Sequence, residues 1–249
     1  MALSAWCVIP ARYGSTRFPG KALVALAGKP MIQWVYEGVC RARSIEKVLI
    51  ATDDERIVEA AAAFGCQAVM TSPDHASGTD RVAEALGEGS PDVIVNLQGD
   101  EPLIDPTAID QLTALFSEPN PPRFATLCHP LSPEEAADPS KVKVVFDNHY
   151  NALYFSRAPI PVPREGGPTD YYLHVGIYAY TPATLREVVA LPPGRLENLE
   201  KLEQLRALEN GIPIRVAVTG YRSFGVDTPE DAKRMERLLR EQHHDVGAS

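Results

Sequence analysis

Short apolar segments alternate with helical patterns through the first half of this 249-residue chain. The apolar segments are AWCVIPA, KVLIAT, CQAVMT and DVIVNLQ, and the helical patterns between them are PMIQWVYEGVCRAR, ERIVEAAAAFG and TDRVAEALGE. This alternation is typical of βαβ units, and it predicts an α/β fold with a mainly parallel sheet and helices on both faces. Pro30 is expected in the first turn of its helix, and Thr79 or Asp80 as the cap of the third.

The pattern changes at about residue 123. Strand candidates follow one another as FATLCHP, VKVVFD, NALYFS and YLHVGIYAY, and residues 159–170 are too rich in proline and glycine for a helix or strand. A helical pattern, LENLEKLEQLRALENG, then a strand, IPIRVAVTG, and a last helix, TPEDAKRMERLLREQ, complete the chain. We therefore expect one domain over residues 1–249, with a smaller antiparallel insertion at about 123–185.

Composition narrows the classes of partner. The chain is 45% hydrophobic and carries a formal net charge of -9, so it can bury a large core but would repel nucleic acids and anionic membranes. It has no apolar stretch near the roughly 20 residues of a membrane span and no secretory signal pattern at its start, which favours a cytoplasmic protein. Its four cysteines lack zinc-site spacing and are expected to be buried free thiols.

A cationic loop follows the first predicted strand. Within VIPARYGSTRFPGKAL, the cations Arg12, Arg17 and Lys21 lie among glycines where ligands of α/β sheets bind, and they suit a polyphosphate. The spacing differs from a P-loop, because five residues separate Gly14 from Gly20 and alanine follows Lys21. This disfavours a P-loop kinase or ATPase. The alternative is a solvated cationic turn that pairs with neighbouring acids.

Two distant aspartates offer a metal site. Asp100 follows the fourth predicted strand, and Asp227 precedes the last helix. If the sheet brings both to one edge, they could hold one Mg²⁺ whose other ligands are triphosphate oxygens. Asp227 has an alternative role as a helix cap. Cations and metal together predict a reaction in which a second substrate attacks a nucleoside triphosphate at phosphorus.

The order of the motifs adds a resemblance. The segments IPARYGSTRFPGKAL, GKPMI, DHASGTDR, VNLQGDEP, KVVFD, YFSRAPIP, HVGIYAY, LEQLR and GVDTPED resemble the 3-deoxy-manno-octulosonate (Kdo) cytidylyltransferases from about residue 7 to residue 237. The resemblance implies a Rossmann-like nucleotide-diphospho-sugar transferase fold. It also implies transfer of CMP from CTP to Kdo with Mg²⁺, giving CMP-Kdo and pyrophosphate for lipopolysaccharide synthesis, by a protein that is usually a homodimer.

The resemblance also assigns residues. The family's functional positions fall into four groups in this sequence. The CTP phosphates would contact Arg12, Ser15, Arg17 and Lys21, and the cytosine would lie beside His75, Ala76, Ser77 and Gly78. The metal would be held by Asp100 and Asp227, and the sugar would contact Gln98, Arg157, His174, Tyr178, Glu203 and Gln204. No general base is evident, so we expect the metal to activate the attacking hydroxyl. Arg157 is the natural partner of the sugar carboxylate.

Alternatives remain for several residues and for the substrate. His174 and Tyr178 alternate along a strand and could simply pack, and Glu203 and Gln204 lie in a charged helical pattern that is ordinarily solvated. A related acidic sugar, such as 8-amino-Kdo or a sialic-acid-like sugar, could replace Kdo, and another base could replace cytosine. A non-catalytic nucleotide-binding regulator on the same fold is the alternative outside enzymes.

Overall fold

The computed structural model describes residues 3–15, 18–89, 91–167 and 169–246, with the backbone alone for 242–246. Strands and helices alternate in an α/β arrangement, as expected. The chain divides into two compact units. The first unit is Trp6–Ser90, Asn96–Pro106 and Ser223–Ser249; the second unit is Met1–Ala5, Pro91–Val95 and Thr107–Arg222.

The first unit contains the parallel βαβ part of the fold. Its strands are β1 (Ala5–Ala11), β2 (Ala25–Leu26), β3 (Lys29–Pro30), β4 (Ile45–Thr52), β5 (Gln67–Met70) and the end of β6 (Val93–Leu97); its helices are α1 (Met31–Val39), α2 (Glu55–Ala63), α3 (Gly78–Leu86) and the last helix, Pro229–Val246. The strand order is β6-β1-β4-β5, with β4 and β5 parallel, while β2 and β3 form a small antiparallel hairpin.

The second unit is mainly antiparallel. In chain order its elements are α4 (Pro106–Ala114), β7 (Phe124–Leu131), α5 (Pro133–Ala136), β8 (Lys143–Phe146), β9 (Ala152–Ser156), β10 (Tyr171–Tyr180), α6 (Pro182–Ala190), α7 (Arg195–Glu200), α8 (Leu205–Glu209) and β11 (Arg215–Val218). Strand β10 pairs antiparallel with β7 and β8, β8 pairs antiparallel with β9, and β11 runs parallel to β7. The final helix of the chain, Pro229–Val246, is therefore α9.

The expected helices form, but two begin differently. Helix α1 starts at Met31, with Pro30 in the capping position before it and not in the first turn. Helix α3 is capped by Ser77 and not by Thr79 or Asp80; the Ser77 hydroxyl accepts from the Asp80 amide, and the Asp80 carboxylate accepts from the Ser77 amide. This reciprocal capping box places the cap of α3 two or three residues earlier than the sequence pattern predicts.

The helical pattern over 196–211 is broken into α7 and α8. Lys201 ends α7 with φ of 54°, in the left-handed region. The guanidinium of Arg206 then donates two hydrogen bonds to Glu197, at 2.8 and 2.6 Å, across the break. Because both side chains are largely buried, this ion pair holds the two short helices together where one continuous helix was predicted.

Helix α9 is anchored by an apolar cluster in the first unit. Met235 and Leu239 on α9 are buried with Leu26, Met31 and Val226. Burial of a side chain of this size stabilises the fold by roughly 1.5–3 kcal/mol. The cluster therefore fixes the segment just before α9, which carries Asp227.

Three of the four cysteines, Cys7, Cys66 and Cys128, are buried free thiols as predicted, whereas the prediction is wrong for Cys40, which is exposed at the end of α1. None of the helices in the described ranges combines the length and the apolar character that a membrane span requires.

Candidate active site

The ammonium group of Lys21 joins the two aspartates predicted for a metal. Its Nζ lies 2.5 Å from Oδ2 of Asp100 and 3.0 Å from Oδ1 of Asp227, and it also donates to the carbonyl of Val226 at 3.3 Å. All of these residues belong to the first unit. The expectation that the cationic loop and the two distant aspartates converge is confirmed, although their roles toward a ligand stay predictions.

Asp227 does not cap helix α9. The cap is Thr228, whose hydroxyl accepts from the Asp231 amide at 3.2 Å, while the Asp231 carboxylate accepts from the Thr228 amide and hydroxyl. The carboxylate of Asp227 instead meets Lys21. The alternative interpretation of Asp227 as a helix cap is therefore wrong, since its neighbour performs that role.

Backbone contacts of Asp100 and of its neighbour Gly99 fix the position of Asp100. Its carbonyl accepts from the Val226 amide at 2.9 Å, which ties the loop after β6 to the segment before α9. Gly99 lies so close to strand β1 that a Cβ at this position would be 3.1 Å from the carbonyl oxygen of Pro10. A larger residue at Gly99 would push Asp100 away from Lys21.

The charges of this trio do not cancel. Partial burial of Lys21 by itself lowers its pKa, but the charge of Asp100 and the hydrogen bonds with both aspartates outweigh that effect, and the pKa of Lys21 is raised. Lys21 is thus a firmly protonated cation between two carboxylates. The three groups together carry a formal charge of -1, which leaves an excess of anionic oxygen at the site.

A cleft of about 290 Å³ lies beside this trio. It is lined by Pro10, Ala11, Arg12, Ser15, Lys21, Ala22, Met31, Gln98, Gly99, Asp100 and Asp227. Arg12 is exposed, so its guanidinium is accessible to an anion. The loop closes on itself at Gly20, whose amide donates to the Tyr13 carbonyl at 2.8 Å. Arg17, the remaining predicted phosphate contact, lies outside the described residues.

A second cleft of about 140 Å³ shares Pro10, Ala11, Arg12 and Gln98 with the first. Its other lining residues are His75, Ala76, Ser77, Gly78 and Arg81. All four residues predicted to border the base therefore line one cavity. His75 is held by a short hydrogen bond to Glu84, which also accepts from the Ser72 amide and whose pKa is lowered by these two bonds.

Arg81 was not predicted as a site residue. It is buried in α3, donating to Asp53 Oδ2 at 2.7 Å and to the Thr71 hydroxyl at 2.5 Å. These contacts connect α3 to the ends of β4 and β5. The sequence shows only that Arg81 follows the predicted base loop by three residues; its burial, which is rare for an arginine without a partner, is visible in the structure alone.

Three of the predicted sugar contacts form a cluster in the second unit. His174 and Tyr178 on β10 have ring centroids 5.4 Å apart, and the Tyr178 hydroxyl donates to Oε1 of Gln204 at 3.2 Å. Burial raises the pKa of Tyr178, and the nearby charge of Glu203 adds to the effect. Gln204 is 5% exposed, which contradicts its interpretation as a solvated helix residue.

One polar atom in this cluster has no protein partner. Nε2 of Gln204 is buried and makes no hydrogen bond among the described residues. An unsatisfied buried donor costs roughly 1–3 kcal/mol, so its presence favours a ligand as the missing partner.

Arg157 and Gln98 are placed differently from the rest of the predicted sugar set. The Arg157 guanidinium donates to backbone carbonyls, at 2.8 Å to Glu200 and 3.1 Å to Pro139, so part of its hydrogen-bonding capacity is structural. Gln98 belongs to the first unit and lines both clefts there, beside the predicted nucleotide contacts.

Known proteins are similar to this chain along nearly all of its length. A 3-deoxy-manno-octulosonate cytidylyltransferase of Anaeromyxobacter sp. (strain Fw109-5) is 56% identical over 235 residues, covering 93% of this chain and 95% of that protein. An 8-amino-3,8-dideoxy-manno-octulosonate cytidylyltransferase of Shewanella sp. (strain ANA-3) is 54% identical over 238 residues, covering 93% and 97%.

Solved structures are also similar to this chain. A CMP:2-keto-3-deoxy-manno-octonic acid synthetase complexed with CTP superposes with a TM-score of 0.92 at 45% identity, covering 96% of this chain and 99% of that one. A cytidylyltransferase of Leptospira borgpetersenii serovar Hardjo-bovis (strain JB197), at 17% identity and a TM-score of 0.62, shares the fold. The family described as Cytidylyltransferase matches residues 6–216, and the chain belongs to that family.

Proposed function

We propose that this protein transfers CMP from CTP to Kdo or its 8-amino analogue, releasing pyrophosphate, in a cytoplasmic step of lipopolysaccharide synthesis, and that it acts as a homodimer. The observation that carries the proposal is the ion-paired trio of Lys21, Asp100 and Asp227 at the edge of a cleft that continues into the His75–Gly78 pocket. Relatives with both sugar names match the chain along nearly all of its length.

The two clefts suit the two halves of CTP. Lys21, Arg12 and Ser15 line the larger cleft and supply positive charge and hydroxyl contacts for the phosphates. The smaller cleft, which is lined by residues 75–78 and Arg81 among others, suits the base. An ideal Cβ at Gly78 lies 3.3 Å from Cγ of Pro10 and 3.5 Å from the Gln98 amide, so a side chain there would touch two residues that line this cleft.

In the reaction, the hydroxyl on carbon 2 of the sugar attacks the α-phosphorus of CTP. A bond forms between that oxygen and phosphorus, the bond to the bridging oxygen of pyrophosphate breaks, and the hydroxyl proton leaves to solvent. Lys21 and Arg12 offset the negative charge that grows on the pyrophosphate. Positioning of the two substrates in line supplies much of the remaining acceleration.

The donor set fits Mg²⁺. Asp100 and Asp227 offer carboxylate oxygens within hydrogen-bond distance of one nitrogen, and no third acidic, histidine or cysteine side chain joins them among the described residues. Mg²⁺ is commonly bound by one or two carboxylates together with phosphate oxygens and water. Bound there, the ion would supply charge neutralisation and would lower the pKa of the attacking hydroxyl.

The sugar cluster in the second unit provides neutral hydrogen-bonding groups. His174, Tyr178 and Gln204 suit hydroxyl groups, and Arg157 retains N–H groups that no backbone carbonyl takes, which suit the sugar carboxylate. The choice between Kdo and 8-amino-Kdo concerns one substituent, a hydroxyl against an ammonium group. Relatives named for each sugar are about equally similar to this chain, so the experiment below uses both sugars.

Pyrophosphate release tests the proposal. The protein is incubated with Mg²⁺, each of CTP, UTP and GTP, and each of Kdo, 8-amino-Kdo and N-acetylneuraminate. We expect release with CTP and Kdo or 8-amino-Kdo, reduced by roughly 100-fold in Asp100→Asn and unchanged in Glu59→Gln, an exposed acid on α2. Turnover of N-acetylneuraminate alone would replace the proposed sugar. CTP binding without turnover of any sugar would favour a non-catalytic regulator.

A further inference from the structure

The hydroxyl of Thr126 lies between the imidazole of His174 and two backbone carbonyls. Its Oγ1 is 2.8 Å from the carbonyl oxygen of Ile177, 3.2 Å from that of Val175 and 3.0 Å from Nε2 of His174. The β7–β10 register shifts between Val175 and Tyr178, and this irregularity turns both carbonyls toward Thr126. Thr126 itself is fully buried, so water does not compete for its hydroxyl.

The direction of each hydrogen bond follows from the number of protons. A threonine hydroxyl has one proton to donate and lone pairs to accept with. The Val175 and Ile177 carbonyls can only accept, so the hydroxyl proton points to them. With the proton so directed, a lone pair of Oγ1 is left for the ring, and this arrangement favours donation from His174, which places a proton on Nε2.

The other ring nitrogen is therefore a lone-pair acceptor. Burial lowers the pKa of His174 to about 3, so the ring is neutral at physiological pH and carries a single N–H proton. Within the described ranges, Nδ1 of His174 has no hydrogen-bond partner. The rings of Phe155, edge-on at 5.0 Å, and Tyr178, at 5.4 Å, hold the imidazole in place.

We propose that Thr126 is a positioning residue that fixes the Nε2–H tautomer of His174, so that Nδ1 is presented as a hydrogen-bond acceptor to a hydroxyl of the sugar. This inference rests on the proposed function for its ligand. The tautomer itself is a property of the free protein, and it follows from the contacts of Thr126 together with the neutrality of the buried ring.

The side-chain amide of Gln204 is a second group whose orientation is fixed. The Tyr178 hydroxyl donates to Oε1 of Gln204, which leaves the buried Nε2 amide of Gln204 as a donor. The cluster thus offers one acceptor, on His174, and one donor, on Gln204. Sugar hydroxyls both donate and accept, so a polyhydroxylated ligand can satisfy both groups, whereas an apolar ligand would leave the Gln204 donor unpaired.

Two variants separate the hydroxyl from the shape of Thr126. Thr126→Val keeps the branched shape and removes the hydroxyl, while Thr126→Ser keeps the hydroxyl. Long-range ¹H–¹⁵N correlation spectra of the imidazoles report the tautomer without any substrate. The His174 signals are assigned by their loss in His174→Gln. Steady-state KM for the sugar and for CTP is measured on the same proteins.

In the wild type we expect a protonated Nε2 and an unprotonated Nδ1 for His174. In Thr126→Val we expect mixed tautomers and a sugar KM raised about fivefold, with the KM of CTP within twofold of wild type, since a neutral hydrogen bond contributes about 1 kcal/mol. Thr126→Ser should restore both the spectrum and the sugar KM.

An Nδ1–H tautomer or a charged ring in the wild-type spectrum would overturn the inference. So would an unchanged sugar KM in Thr126→Val, or equal changes in both KM values, which would indicate general damage to the fold. Failure of the proposed function is distinguishable, because it appears as a wild-type protein that turns over neither sugar while the free-protein spectrum still shows the Nε2–H tautomer.

Discussion

Lys21 and Asp100 form an ion pair of 2.5 Å in which both side chains are mostly shielded from solvent, at 17% and 24% exposed. The pair occupies the position that the sequence assigns to a metal ion and its ligand. Since Lys21 also bonds to Asp227, its positive charge competes with any divalent cation for the same two carboxylates. We therefore expect the lysine to have two effects, attraction of phosphate and repulsion of a bare metal ion.

The first prediction separates these effects with Lys21→Met. Without the ammonium group, Asp100 and Asp227 are left as neighbouring carboxylates, so Mn²⁺ used as a probe should bind the nucleotide-free protein at least tenfold more tightly than it binds the wild type, an increase of about 1.4 kcal/mol. Turnover should nevertheless fall by roughly 100-fold. Electron paramagnetic resonance measures the bound Mn²⁺.

The matched control for this change is Lys29→Met, which removes a lysine whose ion pair with Glu37 is more exposed. It should leave Mn²⁺ binding as in the wild type. Equal Mn²⁺ affinity in Lys21→Met and the wild type would show that the two aspartates do not form a cation site.

The second prediction uses two glycines of the same loop. Gly20 has φ of 71°, and an ideal Cβ there lies 3.1 Å from the Tyr13 ring, whereas Gly14 has open space around it. Gly20→Ala should lower the free energy of unfolding by about 1–2 kcal/mol, the cost of a left-handed residue with a Cβ, and should raise the Kd of CTP as Lys21 is displaced. Urea titration and calorimetric CTP binding measure the two effects.

Gly14→Ala should change neither quantity appreciably, because nothing contacts the added methyl group. If the two variants behaved alike, the closure of the loop at Gly20 would not be what positions Lys21.

Much of this arrangement is predictable from the sequence, because it depends on local patterns. The buried run of β1 and the apolar face of α1 bracket the cationic loop, so the loop must lie at one end of a strand. The convergence of Asp100 and Asp227 is predicted only on the condition that the sheet brings both to one edge, since Asp227 precedes α9 and does not end a strand. The contact of both with a single lysine does not follow, since it depends on distances across 206 positions of the chain.

The failures have physical causes in tertiary contacts. The break at Lys201 is stabilised by the Glu197–Arg206 ion pair, which joins two short helices. In the sequence, the same charged residues also fit ion pairs along one continuous helix, so the break is not predictable from them. Gln204 is buried because it meets Tyr178 on a distant strand, whereas local charge predicts exposure. Arg81 escaped notice because its partners, Asp53 and Thr71, lie at the ends of other strands.

The third prediction concerns that buried arginine. Arg81→Gln leaves Asp53 and the Thr71 hydroxyl without their partner, and it should lower the free energy of unfolding by about 3 kcal/mol, as for a broken buried ion pair. Arg123→Gln breaks a pair with Glu187 in which both side chains are nearly half exposed, so its cost should stay below about 0.5 kcal/mol. Urea unfolding of both variants checks the contrast, and equal costs would contradict it.

The last prediction is a pH dependence at the junction of α7 and α8. Burial alone would raise the pKa of Glu197, but its hydrogen bonds with Arg206 and the Gly194 amide outweigh this, so the pKa lies below the ordinary 4.5. A lowered pKa in the folded state means that the unfolded state binds the proton more readily. The stabilisation is therefore complete above pH 4.5 and is lost as the pH falls through the folded-state pKa.

Glu197→Gln should cost about 3 kcal/mol at pH 7, and this difference from the wild type should shrink as the pH falls below 4.5, because the unfolded wild type takes up a proton there before the folded protein does. Urea unfolding between pH 7 and pH 3 measures the difference. Glu134→Gln, at an exposed position in α5, should remain within about 0.5 kcal/mol of the wild type throughout. A Glu197→Gln difference that stays constant down to pH 3 would show that the ionised pair does not hold α7 and α8 together.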